Sequence, residues 1–176
     1  MPAGSTYTPI ATTTLGSAQT EITFSSISGS YTDLILILNG IGAVLDGYSV
    51  LAQVGNGSVD TGSNYSGTRL SGSGSAASSG RFTNQTYLRF QSVAGQSTTA
   101  GNLTNIIAHF MNYSNTTTNK TILNRSDQPA GSFPATEALV GLWRSTAAIN
   151  TIKVFPFTGA SFATGSTFTL YGIASA

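Results

Sequence analysis

The side chains able to do acid–base, nucleophilic or metal chemistry are few in this chain and stand far apart. His109 is the single histidine of 176 residues, and the six carboxylates, Glu21, Asp33, Asp46, Asp60, Asp127 and Glu137, occur one at a time. A nucleophilic triad needs a serine on a sharp elbow, a histidine and an orienting carboxylate. His109 has neither an elbow serine nor an acid near it in sequence, so it reads as a strand histidine at an inter-sheet or inter-subunit surface. Glycoside hydrolysis needs two carboxylates converging to within about 5–9.5 Å, and single, dispersed acids give no sign of that. There is no HExxH and no acidic calcium loop, and Asp60 within Val59–Asn64 reads as a turn residue. The glycine-rich stretch from Gly72 to Gly80 lacks the lysine of a phosphate-binding loop. Cysteine is absent, which excludes disulfides, thiol nucleophiles and thiolate metal sites. The expectation is a non-enzymatic chain with no catalytic, cofactor-binding or metal-binding residue.

Aromatic residues are the remaining recognition chemistry, because exposed rings stack on sugar faces at low entropic cost. Tyr65, Tyr87 and Tyr113 lie among polar neighbours and are the candidate glycan contacts, while loops at 71–80, 92–101 and 114–120 are the ones through which a glycan would be read. Trp143, in an apolar strand beside Arg144, reads as core or subunit interface.

The elements that must position these residues are strands. The chain has 26 Thr and 24 Ser but only seven Lys/Arg and six Asp/Glu, a composition suited to pleated, half-exposed surfaces and short of exposed-helix formers. With 40% hydrophobic residues it can build a core, so disorder is excluded. Short apolar runs recur between Gly, Ser, Asn and Pro, including 6–15, 18–24, 48–54, 64–70, 83–91, 119–125, 149–155 and 166–173. This spacing predicts an all-β, antiparallel β-sandwich, jelly-roll-like, of about eight or nine strands. Residues 71–80 read as an exposed loop tip, Pro129 and Pro134 bound a turn, and 136–144 reads as a strand with Leu139 and Trp143 on one face and Val140 and Leu142 on the other, although 135–143 is the one segment where a helical turn would not surprise. Residues 1–14 are expected to form an N-terminal strand or arm contacting a neighbour, and 15–176 a single sandwich domain.

Two strands are apolar on both faces, which a half-exposed sheet does not need. Leu34–Leu38 is one; 102–113 is the other, with Ile106, Ala108 and Phe110 on one face and Ile107, His109 and Met111 on the opposite face. Either a loop of the same chain or a neighbouring subunit must cover the outer face. Leu34, Leu36, Leu38, Ile107, His109, Met111 and Trp143 are accordingly the candidate subunit-interface residues. The formal net charge of +1 gives little repulsion between copies. The cations, Arg69, Arg81, Arg89, Lys120, Arg125, Arg144 and Lys153, are scattered, which argues against nucleic-acid binding. No stretch approaches the roughly 18 apolar residues of a membrane span, and the N-terminus has no signal-peptide character.

Three stretches together resemble small β-rich virion structural proteins of tailed bacteriophages. They are Leu15-Gly16-Ser17-Ala18 through Phe24-Ser25-Ser26-Ile27 with Tyr31-Thr32-Asp33-Leu34; Gly62-Ser63-Asn64-Tyr65-Ser66; and the ending Gly165-Ser166-Thr167-Phe168-Thr169-Leu170-Tyr171-Gly172-Ile173. The resemblance implies capsid decoration, head-fibre or tail-fibre-tip roles and a homotrimer of β-sandwiches, with no site residue to carry over. The expected function is a capsid decoration or cement protein, made in the host cytoplasm and carried on the virion, whose partners are itself and the major capsid protein. A fibre-tip module binding host surface glycan is the alternative.

Overall fold

The computed structural model describes residues 6–41, 49–91, 104–128 and 135–174. Among them lie thirteen strands: β1 (Tyr7–Thr14), β2 (Ile22–Phe24), β3 (Asp33–Ile41), β4 (Val50–Asn56), β5 (Ser58–Val59), β6 (Tyr65–Gly72), β7 (Ala77–Gln85), β8 (Leu88–Gln91), β9 (Thr104–Met111), β10 (Lys120–Gln128), β11 (Ala135–Trp143), β12 (Thr151–Pro156) and β13 (Thr167–Ile173). The helical content is one 3₁₀ turn, Phe157–Gly159. An eight-stranded antiparallel sheet runs β1-β13-β3-β9-β10-β11-β6-β7. The second sheet runs β2-β12-β4-β5, with β8 also paired to β4.

The all-β sandwich expectation holds, with more strands than expected and two sheets of unequal size. Alternation drives it. Leu34, Leu36 and Leu38 of β3, Ile106, Ala108 and Phe110 of β9, and Phe168 and Leu170 of β13 turn inward, where they belong to the same buried cluster as Val50, Ala52 and Val54 of β4 and Ile152 and Val154 of β12. Because the side-chain period of a strand is two, the residues between them point to the outer face of the eight-stranded sheet.

Several sequence expectations change in the fold. The 136–144 strand is present as β11, Ala135–Trp143, paired to β10 and β6, and it takes no helical turn. The 83–91 run divides: β7 ends at Gln85 and β8 crosses to the other sheet against β4. The 71–80 loop shrinks to a tight turn, since Ser71↔Ser78 and Gly72↔Ala77 continue the β6–β7 ladder. Its residues stay exposed because β7 is an edge strand. The N-terminal strand is present as an edge strand of the eight-stranded sheet, paired to β13 from Tyr7↔Ile173 to Thr14↔Thr167 with a shift of register between Pro9 and Ala11. Cross-strand hydroxyl bonds Thr12–Thr169 and Thr14–Thr167 decorate that pair. The expected loop at 92–101 and the turn between Pro129 and Pro134 lie outside the described residues.

Glycines allow the closest approaches. A Cβ on Gly172 would stand 2.3–2.5 Å from ring carbons of Tyr31, so the bare backbone is the floor on which that ring rests. A Cβ on Gly55 would meet the Ser58 carbonyl oxygen at 1.9 Å, which reserves this position in the β4–β5 hairpin for glycine.

Candidate functional site

The candidate interface residues separate into two groups. Leu34, Leu36 and Leu38 are fully buried within one chain, and Trp143 nearly so. All four are core, and the correction has a simple cause: they occupy the inward phase of their strands. Tyr65 and Tyr113 are also fully buried, which removes them as glycan contacts. The Tyr65 hydroxyl has its single proton within reach of the Asp60 and Val54 carbonyls and accepts the Val54 N–H, and Tyr113 donates to the Ser28 carbonyl. Burial raises the pKa of both phenols, Tyr65 most strongly. Polar sequence neighbours misled here, because a tyrosine in the inward phase buries its ring and satisfies its hydroxyl on nearby backbone.

Asp60 is a turn residue, as expected, and it also anchors the tryptophan. Its Oδ2 accepts from Trp143 Nε1 at 2.8 Å and from Asn64 Nδ2 at 2.9 Å, and its Oδ1 from the Gly62 N–H at 2.8 Å. Burial pushes this carboxyl up, but the bonds from Trp143, Asn64 and Gly62 together hold it below its ordinary value. In the 114–120 loop, Asn115 Oδ1 accepts the N–H groups of Thr117 and Thr118, a self-contained Asx turn. Lys120 is buried, with Nζ donating to the carbonyls of Thr118 and Thr146; burial lowers its pKa.

Ile107, His109 and Met111 point the other way, onto the outer face of the eight-stranded sheet. The register lays that face out in rows. One runs Tyr171–Ile35–His109–Leu123–Val140–Thr68, and the next Ile37–Ile107–Arg125–Ala138–Leu70. These rows floor an open groove of about 840 Å³. Its apolar side chains are strongly exposed: Ile107 and Leu123 at 40%, Val140 at 48% and Leu70 at 62%. Ile35 is buried among its neighbours. No described loop covers Ile107, Leu123, Val140 or Leu70. The sequence singles out Ile107 and His109 but not Leu70, Leu123 and Val140, because these lie on three different strands and only cross-strand register joins them.

At one side of the groove His109 Nε2 lies 2.8 Å from Asp33 Oδ2, and Asp33 Oδ1 accepts the Asn112 N–H at 2.7 Å. The two residues are 76 positions apart, so the pair was invisible in sequence. A carboxylate that orients an imidazole is two-thirds of a triad. Among the described residues no hydroxyl is bonded to His109, and the geometry is that of a hydrogen-bonded strap joining β3 to β9.

Tyr87 is the one proposed glycan contact that stays half-exposed. Its ring lies 6.0 Å from that of Phe157, and Arg89 stacks over Phe82 at 4.5 Å and Tyr87 at 5.5 Å. Among the described residues, no group of three or more His, Asp or Glu side chains could hold a metal ion. No described helix is long and apolar enough to cross a membrane.

Comparison with known proteins found no matching family model and no matching curated protein. Among solved structures, a Bacteroides vulgatus protein described as a "putative pore-forming toxin" aligns over 90% of this chain and 60% of its own, at 11% identity and a TM-score of 0.10. A likeness of that size carries no argument about fold or activity.

Proposed function

We propose that this chain is a non-enzymatic virion structural protein of a tailed bacteriophage, a capsid decoration protein that docks on the shell exterior and reinforces it. The observation that carries this reading is the outer face of the eight-stranded sheet. Leu70, Ile107, Leu123 and Val140 converge there with the half-buried Ile37 into an apolar strip that no described residue covers. Contiguous apolar patches rimmed by polar residues mark protein association sites rather than ordinary surface. The rest of the exposed surface, rich in Ser and Thr and poor in charge, suits a passive coat. The sequence resemblance supplies the virion context and the homotrimer; the strip supplies a surface on which a partner can be bound.

The test is rebinding of purified protein to particles stripped of it, with its position read by electron microscopy. Regular density over the capsid lattice, with recovered heat resistance, is the expected result. Density confined to the tail, or none, overturns the decoration role. The alternative reading, a fibre-tip module for host surface glycan, has the Tyr87–Phe157–Arg89 cluster in its favour. Its expected signature is glycan-array binding abolished by Tyr87→Ala.

A further inference from the structure

The charges around the strip say what kind of surface covers it. Arg125 stands in the middle of the second row, between Ile107 and Ala138. Arg81 ends the first row, paired through Thr68 to Val140 and Leu123. Both are exposed, and neither has an ion pair or hydrogen bond among the described residues. They lie three strands apart, about 14 Å at the usual strand spacing.

The described carboxylates, by contrast, are all taken within the chain. Glu21 pairs with Lys153, Asp33 with His109, and Glu137 with Arg69. Asp60 holds Trp143, and Asp127 accepts the Asn105 N–H at 2.6 Å. Asp33 and Asp127, the acids in the outward phase of this sheet, are therefore both engaged. A second copy of the chain laid on the strip would bring Arg125 and Arg81, from the described residues, only carboxylates that already hold a partner in their own chain, so each new ion pair would have to displace one. That is a costly contact.

We propose that the strip receives an acidic and apolar surface of a different virion protein, whose carboxylates meet Arg125 and Arg81 while its apolar side chains cover Ile107, Leu123 and Val140. The inference rests on the docking function above and names the chemistry of the partner. A nucleic-acid backbone does not fit, because the apolar rows between the two cations need an apolar counterpart. A homotrimer would then form through other surfaces, such as the sheet edges at β1 and β7.

The experiment compares wild-type protein with Arg125→Gln, Arg81→Gln, the double variant and Leu123→Asp, using particles stripped of the protein as the probe. Each Gln variant is expected to bind about tenfold more weakly, the double variant about a hundredfold, with a shallower salt dependence than wild type. Melting temperatures of the Gln variants should stay at the wild-type value, since both side chains are exposed and have no partner among the described residues. Sedimentation should show Leu123→Asp in the same oligomeric state as wild type. Wild-type rebinding with undiminished binding by both Gln variants overturns the inference and leaves docking intact. An oligomer that Leu123→Asp dissociates also overturns it, by making a second copy the occupant. Failure of the wild type itself to rebind withdraws the docking reading and the inference with it.

Discussion

Replacing Asp60 by Asn preserves the side chain's shape and removes both its charge and one of its two acceptor oxygens. Three donors converge on that carboxylate: the Trp143 indole N–H, the Asn64 amide and the Gly62 N–H. An asparagine oxygen can face Gly62 or face Trp143, but in either orientation its NH₂ group points at a donor. Trp143 is 3% exposed, so its N–H has little access to replacement water. Losing a hydrogen bond to a charged group costs about 1.5–3 kcal/mol. Taking about 2 kcal/mol, and about 2–4 °C per kcal/mol for a chain of this size, Asp60→Asn should lower the melting temperature by about 4–8 °C. Trp143 is the single tryptophan, so its fluorescence reports both global unfolding and the local environment of this bond. Trp143→Phe removes the donor instead, and the double variant should show a coupling of about 1 kcal/mol or more. The pH dependence has a definite sign. The folded carboxyl lies below its ordinary 3.8, so its contribution is present above that pH and lost as pH falls through the folded value. Wild type should lose this increment in acid, and Asp60→Asn should not. A melting temperature unchanged within about 1 °C, or strict additivity in the double variant, would refute the reasoning.

Further outcomes follow from burial and close packing. Leu36→Asp should prevent folding, as judged by loss of cooperative melting, because Leu36 is wholly buried within one chain. Leu123→Asp should fold normally and fail only in particle binding. Gly172→Ala should destabilise by about 1–3 kcal/mol in urea unfolding, because the Tyr31 ring must move, and the penalty should shrink in a Tyr31→Ala background. For Lys120 the folded pKa is depressed, so the unfolded chain binds more protons between that value and the ordinary 10.5, and stability should rise with pH across this window. The stability difference between wild type and Lys120→Met, followed by urea midpoints from pH 8 upward, should grow in favour of wild type.

Strand class and many strand positions were legible because alternation and β-branched composition are local properties of the chain. The β3 and β9 segments were recognised as apolar on both faces, and His109 was placed in a strand. Which face was the core was not legible. The sequence groups Leu34, Leu36 and Leu38 with Ile107 and Met111 as interface candidates, whereas the fold sends the two groups to opposite sides of one sheet. Tyr65 and Tyr113 failed for the same reason: their surroundings in sequence are polar, while their surroundings in space are the core.

By itself, then, the sequence determined an all-β chain with a core of its own, no cysteine chemistry and no recognisable catalytic motif, because composition and period-two alternation act over a few residues at a time. Tertiary structure alone decided the eight-and-five division of the strands, the Asp33–His109 and Asp60–Trp143 bonds across 76 and 83 positions, and the rows that bring Leu70, Ile107, Leu123 and Val140 together with Arg125. Those features depend on strand order and register, which are settled by long-range pairing and by which phase of each strand reaches the common core.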